Sequence, residues 1–446
     1  MSDAETHYRE GLRHQDEGRH AEAEASYRRS LALDPRQPKA HNNLGCVLQM
    51  QGRLNEAVAS FRAALALDPE LAQANQNLAA ITRDPAASRK ALDGYRRLIE
   101  ANPRDAELRN NFGNVCRELG LHREAIAALA EAIRLAPDYA QAHFSRAFEL
   151  LLLGEYAEGF EEFEWRWKVR GLGTPPRAFA QPQWDGGAIG GTLLLYAEQG
   201  FGDTLSMIRY ASLAAARAGR VVVECQPELH GLVRQVRGVA EVLAPGASLP
   251  RFDAQLPLMS LPHVFRTTLQ TVPWSGAYLR ADPQRLQIAA NAGPRVGLAW
   301  AGQPSQGDDR KRSLSLAALA PLAQAGVAFY SLQKGDAALQ AHAPPPEMHL
   351  TELGSRFADF SDTAAAISQL DLVITVDTSV AHLAGALGVP TWVLLSAIPD
   401  WRYGAEGERT PWYPTMRLFR QRADGDWEDV VSRAAQALRT TSKPFR

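Results

Sequence analysis

Residues 41–69 read HNNLGCVLQMQGRLNEAVASFRAALALDP, and their landmarks return at a fixed interval through the first third of the chain. Prolines stand at Pro35, Pro69, Pro103 and Pro137, a period of 34 residues. Gly18, Gly52, Gly120 and Gly154 keep the same register, with Ala86 in the missing place. Large residues follow at Tyr27, Phe61, Tyr95, Leu129 and Phe163. Small ones recur at Gly11, Gly45, Ala79, Gly113 and Ala147, and again at Ala23, Ala57, Ala91, Ala125 and Gly159. Each unit therefore reads as a helical hairpin. Small residues let its two helices approach, the large side chain packs, glycine makes the turn, and proline cannot continue the preceding helix. One hairpin cannot bury its apolar face alone, so such units stack into a solenoid with a concave groove.

This pattern closely resembles the tetratricopeptide repeat family and predicts four or five units over residues 1–168. Residues 86–94 depart from it and are expected to distort the third unit. Asn43, Asn77 and Asn111 form one further column, with Ser145 in the fourth place. In arrays of the resembled kind this position faces the groove, so a ladder of amides there would hydrogen-bond an extended peptide backbone. The same amides would equally serve the hairpins themselves.

Composition bounds the rest. A chain of 446 residues is long enough for about three domains. A net charge of −2 gives no electrostatic reason to expect nucleic acid. Cys46, Cys116 and Cys225 lie far apart, without metal or disulfide spacing, which suits a reducing cytosol. The N-terminal stretch is polar and does not read as a signal peptide. The apolar run around Leu150 and Leu153 is too short to span a bilayer. The chain is thus expected to be cytoplasmic, without a transmembrane segment.

Beyond the repeats, a Gly/Pro-rich stretch reads as a linker over 169–190. Periodicity then changes. Short apolar runs at 193–197, 221–224, 296–299, 327–332, 372–376 and 392–395 alternate with helical segments such as 203–218 and 315–325. That alternation predicts parallel sheets covered on both faces. A second linker-like stretch, 282–294, divides this half into subdomains at 191–290 and 291–425, followed by a C-terminal helix and tail at 426–446. Each subdomain opens with a strand and a Gly-containing loop, TLLLYAEQGFGD and RVGLAWAGQPSQGDD. Ligands of open α/β sheets bind outside the carboxyl ends of strands, so the two sets of ends are expected to share a cleft. The last helix is expected to cross back to the first subdomain.

Three segments in this half carry candidate chemistry. Residues 371–396, DLVITVDTSVAHLAGALGVPTWVLLS, read strand, turn, helix, turn, strand. Asp377 is the expected N-cap there, with Thr378, Ser379 and Val380 opening the helix and offering N–H groups to an anion. His382 lies one turn on, within reach of a phosphate. Asp377 is expected to orient backbone. In AEQGFGDTLSMIRY, Gly200 and Gly202 permit close backbone approach and Asp203 is the expected N-cap. In DDRKRS (308–313), Arg310, Lys311 and Arg312 form a basic loop, and Gln333 and Lys334 stand at another strand end. Each also has a purely structural reading, as a capped helix start or a solvated charge run. Trp300 and Trp401 are expected to line the cleft or to pack in the core. Asp424 and Asp426 have Asp-x-Asp spacing but read as a helix cap.

Residues 371–396 are similar to the donor-binding motif of heptosyltransferases, the glycosyltransferase family 9 type, through Asp377, Thr378, His382 and Ala384. Residues 399–403, PDWRY, and 411–420, PWYPTMRLFR, look like the ending of bacterial repeat-linked members of that superfamily. The similarity covers roughly 190–440 and implies a GT-B arrangement of two Rossmann-like subdomains. It also implies a nucleotide-sugar donor, with Asp203 as the catalytic carboxylate, since Gly202, Asp203 and Leu205 match a Gly-Asp-x-Leu element. Arg312, then Lys311, would offset charge on the leaving diphosphate. The expectation is an inverting, metal-independent glycosyltransferase acting on a protein held by the repeats. The alternatives are a non-catalytic scaffold that binds a nucleotide, or a transferase acting on a lipid-linked or polysaccharide acceptor.

Overall fold

The computed structural model describes residues 2–169, 172, 177–289, 293–303, 309–324, 326–422 and 425–440. Asp308 and Asp424 lie outside the described residues, as do parts of the expected linkers (170–171, 173–176 and 290–292) and of the tail (441–446). The side chain of Arg310 is likewise not described. The chain divides into two compact units, Met1–Glu149 and Leu150–Arg446.

The helices pair in sequence: α1 (Asp3–Asp16) with α2 (His20–Leu33), α3 (Pro38–Met50) with α4 (Leu54–Leu67), α5 (Ala72–Thr82) with α6 (Pro85–Ala101), and α7 (Ala106–Glu118) with α8 (His122–Leu135). A fifth pair of segments, α9 (Ala140–Leu152) and α10 (Tyr156–Phe163), follows, and the boundary between units falls within α9. Four helical hairpins are therefore present among the described residues of the first unit, and α9 and α10 continue the order of the repeat along the chain.

The columns act as their chemistry predicts. Gly18, Gly52, Gly120 and Gly154 adopt φ of 73°, 76°, 72° and 80°, a left-handed turn that glycine enters without penalty. A Cβ on Gly45 would lie 2.5 Å from the Phe61 ring, and one on Gly11 2.5 Å from the Tyr27 ring. The aromatic column thus occupies space that only the absent side chain leaves open. In the third unit the turn moves. Arg83 takes the left-handed position at φ 56°, Asp84 caps α6 by accepting from the Ala86 N–H, and Ala86 becomes helical. The expected distortion is a shortened α5 and a lengthened α6.

The second unit carries two all-parallel sheets. In the first, β1 (Ile189–Tyr196), β2 (Ala218–Glu224), β3 (Val239–Leu243) and β4 (Ala254–Pro257) run in the order 3-2-1-4. In the second, β5 (Arg295–Ala299), β6 (Ala328–Ser331), β7 (Leu350–Glu352), β8 (Leu372–Val376), β9 (Thr391–Leu395) and β10 (Met416–Arg420) run 10-9-8-5-6-7. Renumbered within the sheet, that is the doubly wound order 3-2-1-4-5-6, whose switch point lies between its first and fourth strands. The core of this sheet gathers Val296, Leu298, Trp300, Phe329, Ile374 and Trp392.

Several expected elements change. The helix expected over 203–218 is broken into α11 (Phe201–Met207), a 3₁₀ turn at Ile208–Tyr210 and a short helix Ala211–Ala215, and β2 starts at Ala218. Side chains compete for its carbonyls: Ser206 Oγ donates to Asp203 O (3.0 Å) and Arg209 Nε to Ser206 O (2.8 Å). The segment expected as a helix from Ser315 is a 3₁₀ helix, Leu316–Leu322, with Pro321 inside it. The last helix, Trp427–Thr440, does not cross to the first subdomain. Val430, Val431, Ala434, Ala435 and Leu438 join the core of the second sheet, because that face holds the apolar surface its own stripe must cover. Among the described residues no helix is long and apolar enough to cross a membrane.

Replacing Gly45 by Ala is expected to force the Phe61 ring aside and destabilise the array by about 1–3 kcal/mol. Chemical denaturation followed by helical circular dichroism measures this, and an unchanged midpoint would contradict the packing described.

Candidate functional site

Both sheets of the second unit turn the ends of their strands toward one cleft of about 710 Å³. The first sheet contributes Gly200, Phe201, Gly202 and Asp203, from the loop after β1 and the start of α11. The second contributes Ala299 at the end of β5, Ala301 and Gly302 just beyond it, Leu332 to Ala337 after β6, and Asp377 to Val380 after β8. Those β5 and β8 ends flank the switch point.

Asp203 is not the N-cap of its helix. Gly200 takes that position with extended backbone (φ −67°, ψ 173°), and Asp203 lies within the first turn of α11. Freed from capping, its Oδ1 accepts from Nη2 of Arg402 at 2.6 Å. Arg402 is 2% exposed, reaches both Asp400 oxygens at 3.1 Å, and stacks 4.3 Å from the centre of the Trp401 ring. Despite burial, which opposes its charge, the carboxylates of Asp400 and Asp203 keep the guanidinium firmly protonated.

Gly202 is set by close approach. A Cβ there would lie 2.7 Å from Cδ2 of His382, on the helix Ser379–Ala386 of the other subdomain. His382 is buried, with Nδ1 3.0 Å from the Tyr413 hydroxyl and its ring stacked on Tyr403. Burial, then the nearby guanidinium groups of Arg402, Arg209 and Arg312, hold its pKa well below the usual histidine value. It is therefore a neutral ring in the wall of the cleft, and not a cation offered to a phosphate.

Asp377 also departs from expectation. The N-cap is Thr378, whose side chain does not cap, so among the described residues no side chain caps the start of this helix. Asp377 does not orient backbone. Its Oδ1 accepts from the Tyr403 hydroxyl at 3.2 Å, while part of the residue stays open to the cleft. Burial, then repulsion from Asp400, pushes its carboxyl up to about 7, against the pull of Arg312.

The basic loop contains a short helix, Asp309–Arg312. Arg312 lines the cleft, with Nε 3.5 Å from Asp309 Oδ1, whereas Lys311 is exposed and is not among the lining residues. Gly302 admits this arrangement, since a Cβ would lie 2.3 Å from Asp309 Oδ1. Lys334 lines the cleft and donates to the Phe357 carbonyl at 2.6 Å. Gln333 is a tie between strand ends. Its Oε1 accepts from the N–H groups of Trp300 (3.0 Å) and Ala301 (2.9 Å), and its Nε2 donates to the Ala301 (2.9 Å) and Lys334 (3.0 Å) carbonyls. Trp300 and Trp401 pack in the core. Asp426 caps the last helix by accepting from Asp429 N.

In the repeats, Asn43 and Asn77 tie neighbouring helices, whereas Asn111 bonds within its own. Asn43 Nδ2 donates to the Tyr8 hydroxyl at 3.2 Å, and Asn77 Nδ2 donates to Asn42 Oδ1 at 3.0 Å and meets Cys46 Sγ at 3.2 Å. Asn111 Oδ1 accepts from Asn110 at 3.3 Å. All three stay half-buried, while Ser145 is buried.

Sequence reasoning missed Arg402, Asp400, Phe360 and Thr363, which also line the cleft. Of these only Arg402 and Asp400 had a signal, inside the PDWRY motif.

The architecture is an α-solenoid followed by an α/β unit, and comparison with known proteins defines the first part. A tetratricopeptide repeat model matches residues 8–72, 83–140 and 113–164, so the first third of the chain consists of tetratricopeptide repeats. Protein FlbA of Caulobacter vibrioides is 29% identical over 349 residues, 70% of this chain and 58% of that protein, so the chain spans less than two thirds of its relative. Two solved structures illustrate the similarity. TTC0263, a tetratricopeptide protein of Thermus thermophilus, is 23% identical, with 36% of this chain and 88% of that one covered and a TM-score of 0.31. PilW, a type IV pilus biogenesis factor, is 20% identical, with 37% and 78% covered and a TM-score of 0.32.

A carboxyl whose folded pKa is raised stabilises the fold below its unfolded value of 3.8, and that contribution is lost as pH rises through about 7. Asp377→Asn is therefore expected to gain thermal stability over the parent at pH 8 but not at pH 4, with roughly 2–4 °C for each kcal/mol relieved. Thermal unfolding at both pH values checks this, and an equal shift at both would contradict it.

Proposed function

We propose that the chain is an inverting glycosyltransferase of GT-B type, moving a sugar from a nucleotide-sugar donor to a hydroxyl of a protein acceptor bound by the repeats. One observation carries this reading: Asp203, Arg312, Lys334 and the uncapped start of the helix Ser379–Ala386 converge on a single cleft at a strand-order switch point. A helix start and two cations form an anion site suited to a diphosphate. On this reading Asp203 takes the acceptor proton as the hydroxyl oxygen attacks the anomeric carbon, and the bond from that carbon to the leaving phosphate breaks on the opposite face. Arg402 holds the Asp203 carboxylate in place through Oδ1. Arg312 and the helix N–H groups offset the charge left on the nucleotide, which is why no metal is invoked.

Repeat arrays bind proteins along extended concave surfaces, which supports a protein acceptor. Asn43 and Asn77 serve that groove only with the polar capacity left after their ties between hairpins. A non-catalytic, nucleotide-binding reading draws on one observation, the ion pair that engages Asp203 with a buried arginine.

Asp203→Asn separates the two readings. It is expected to lower transfer by about 10²–10⁴-fold while nucleotide affinity stays unchanged. Transfer at parental rate would remove Asp203 as the base. Nucleotide binding with no transfer by the parent, across a panel of nucleotide sugars and protein acceptors, would favour the non-catalytic reading.

A further inference from the structure

The 3₁₀ helix Glu164–Lys168 follows α10, and its central arginine is built into the α/β unit. Arg166 is 4% exposed, lying against the Phe163 and Trp167 rings with its guanidinium carbon 4.8 and 4.5 Å from their centres. Its Nη1 donates to Glu164 Oε1 at 2.7 Å, and its Nη2 donates to Ser260 Oγ at 2.8 Å and Glu198 Oε1 at 3.2 Å. Ser260 Oγ lies 2.8 Å from both Glu164 oxygens, closing the ring of contacts.

Glu198 is the second residue after β1 and leads directly into Gln199, Gly200 and Asp203. Its Oε1 also accepts from the Met259 N–H at 3.3 Å, and Met259 Sδ lies 3.6 Å from Nη2 of Arg402, the nitrogen that holds Asp203. Two routes therefore lead from Arg166 to Asp203, one along the chain from Glu198 and one through Ser260, Met259 and Arg402. Burial pushes the Glu198 carboxyl up to about 7, with Arg166 pulling it down and Asp203 adding repulsion, so the arginine is what favours a charged Glu198 at this place. A lysine would keep the charge but lose the planar fork that reaches Glu164, Ser260 and Glu198 together.

We propose that Arg166 is a positioning residue, which holds the segment from Glu198 to Asp203 in the geometry that presents the Asp203 carboxylate to the cleft. Its effect on transfer rests on the function proposed above; the ordering of the segment does not.

Amide hydrogen exchange on the full chain tests the ordering. Arg166→Met is expected to raise exchange across residues 197–205 by about tenfold or more, leaving the helix Trp427–Thr440 at its parental rate. Arg166→Lys should fall between parent and Arg166→Met. If Arg166→Met fails to fold, Ser260→Ala removes one arm with the charges still paired and should move the same segment in the same direction. Parental exchange at 197–205, or an equal rise throughout the unit, would overturn the proposal. Where the parent transfers sugar, Arg166→Lys is expected to lower kcat with nucleotide affinity unchanged. A parent without transfer activity would count against the proposed function only, because the exchange result still decides the role of Arg166.

Discussion

The α/β unit depends on one buried cation. Arg402 is enclosed at the end of the second sheet, and a guanidinium there persists only if carboxylates surround it. Asp400 supplies two contacts from its own turn, and Asp203 supplies the third from the first sheet. The pair thus fastens the loop after β1 to the loop after β9, across the cleft where both sheets end. Gly202 and His382 meet in the same place, so α11 and the helix Ser379–Ala386 approach as closely as a missing side chain allows. Arg209 reinforces the junction, donating to the Trp412 carbonyl at 2.7 Å and the Tyr278 hydroxyl at 3.0 Å.

This packing changes the chemistry of the groups it encloses. His382 and Asp377 belong to one strand–turn–helix motif, yet the surroundings push both toward their neutral forms. A carboxyl that readily holds a proton repels an anion less than its charged form would, whereas a neutral imidazole gives up the attraction its cation would exert. On the proposed reading, charge recognition in the cleft then falls to Arg312, Lys334 and the start of the helix.

The sequence disclosed those features whose causes are local or repeated. The 34-residue register was legible because each column does one job in every hairpin, as Gly45 against Phe61 shows. The strand from Leu372 to Val376 was legible because a buried parallel strand is a short apolar run. Contacts between distant residues were not. Arg402 meets Asp203 across 199 positions, and Gln333 ties down the backbone of Trp300 and Ala301 from the neighbouring strand. Capping was misplaced at both Asp203 and Asp377 because each carboxylate is drawn to a partner outside its own helix, Arg402 in one case and Tyr403 in the other. The Asn column was legible as a column. Its inward bonds to Tyr8 and Asn42 depend on how hairpins stack, which one unit's sequence does not specify.

The proposed function requires the cleft between the two sheets to take a nucleotide with its phosphates at Arg312 and the start of the helix Ser379–Ala386. Calorimetric titration of nucleoside diphosphates and nucleotide sugars into the full chain tests it most directly, with Arg312→Ala as the paired variant. Saturable one-to-one binding of at least one nucleotide is expected, weakened about tenfold or more by the substitution with the fold intact. Absence of binding by every nucleotide, or equal affinity in parent and variant, would contradict it.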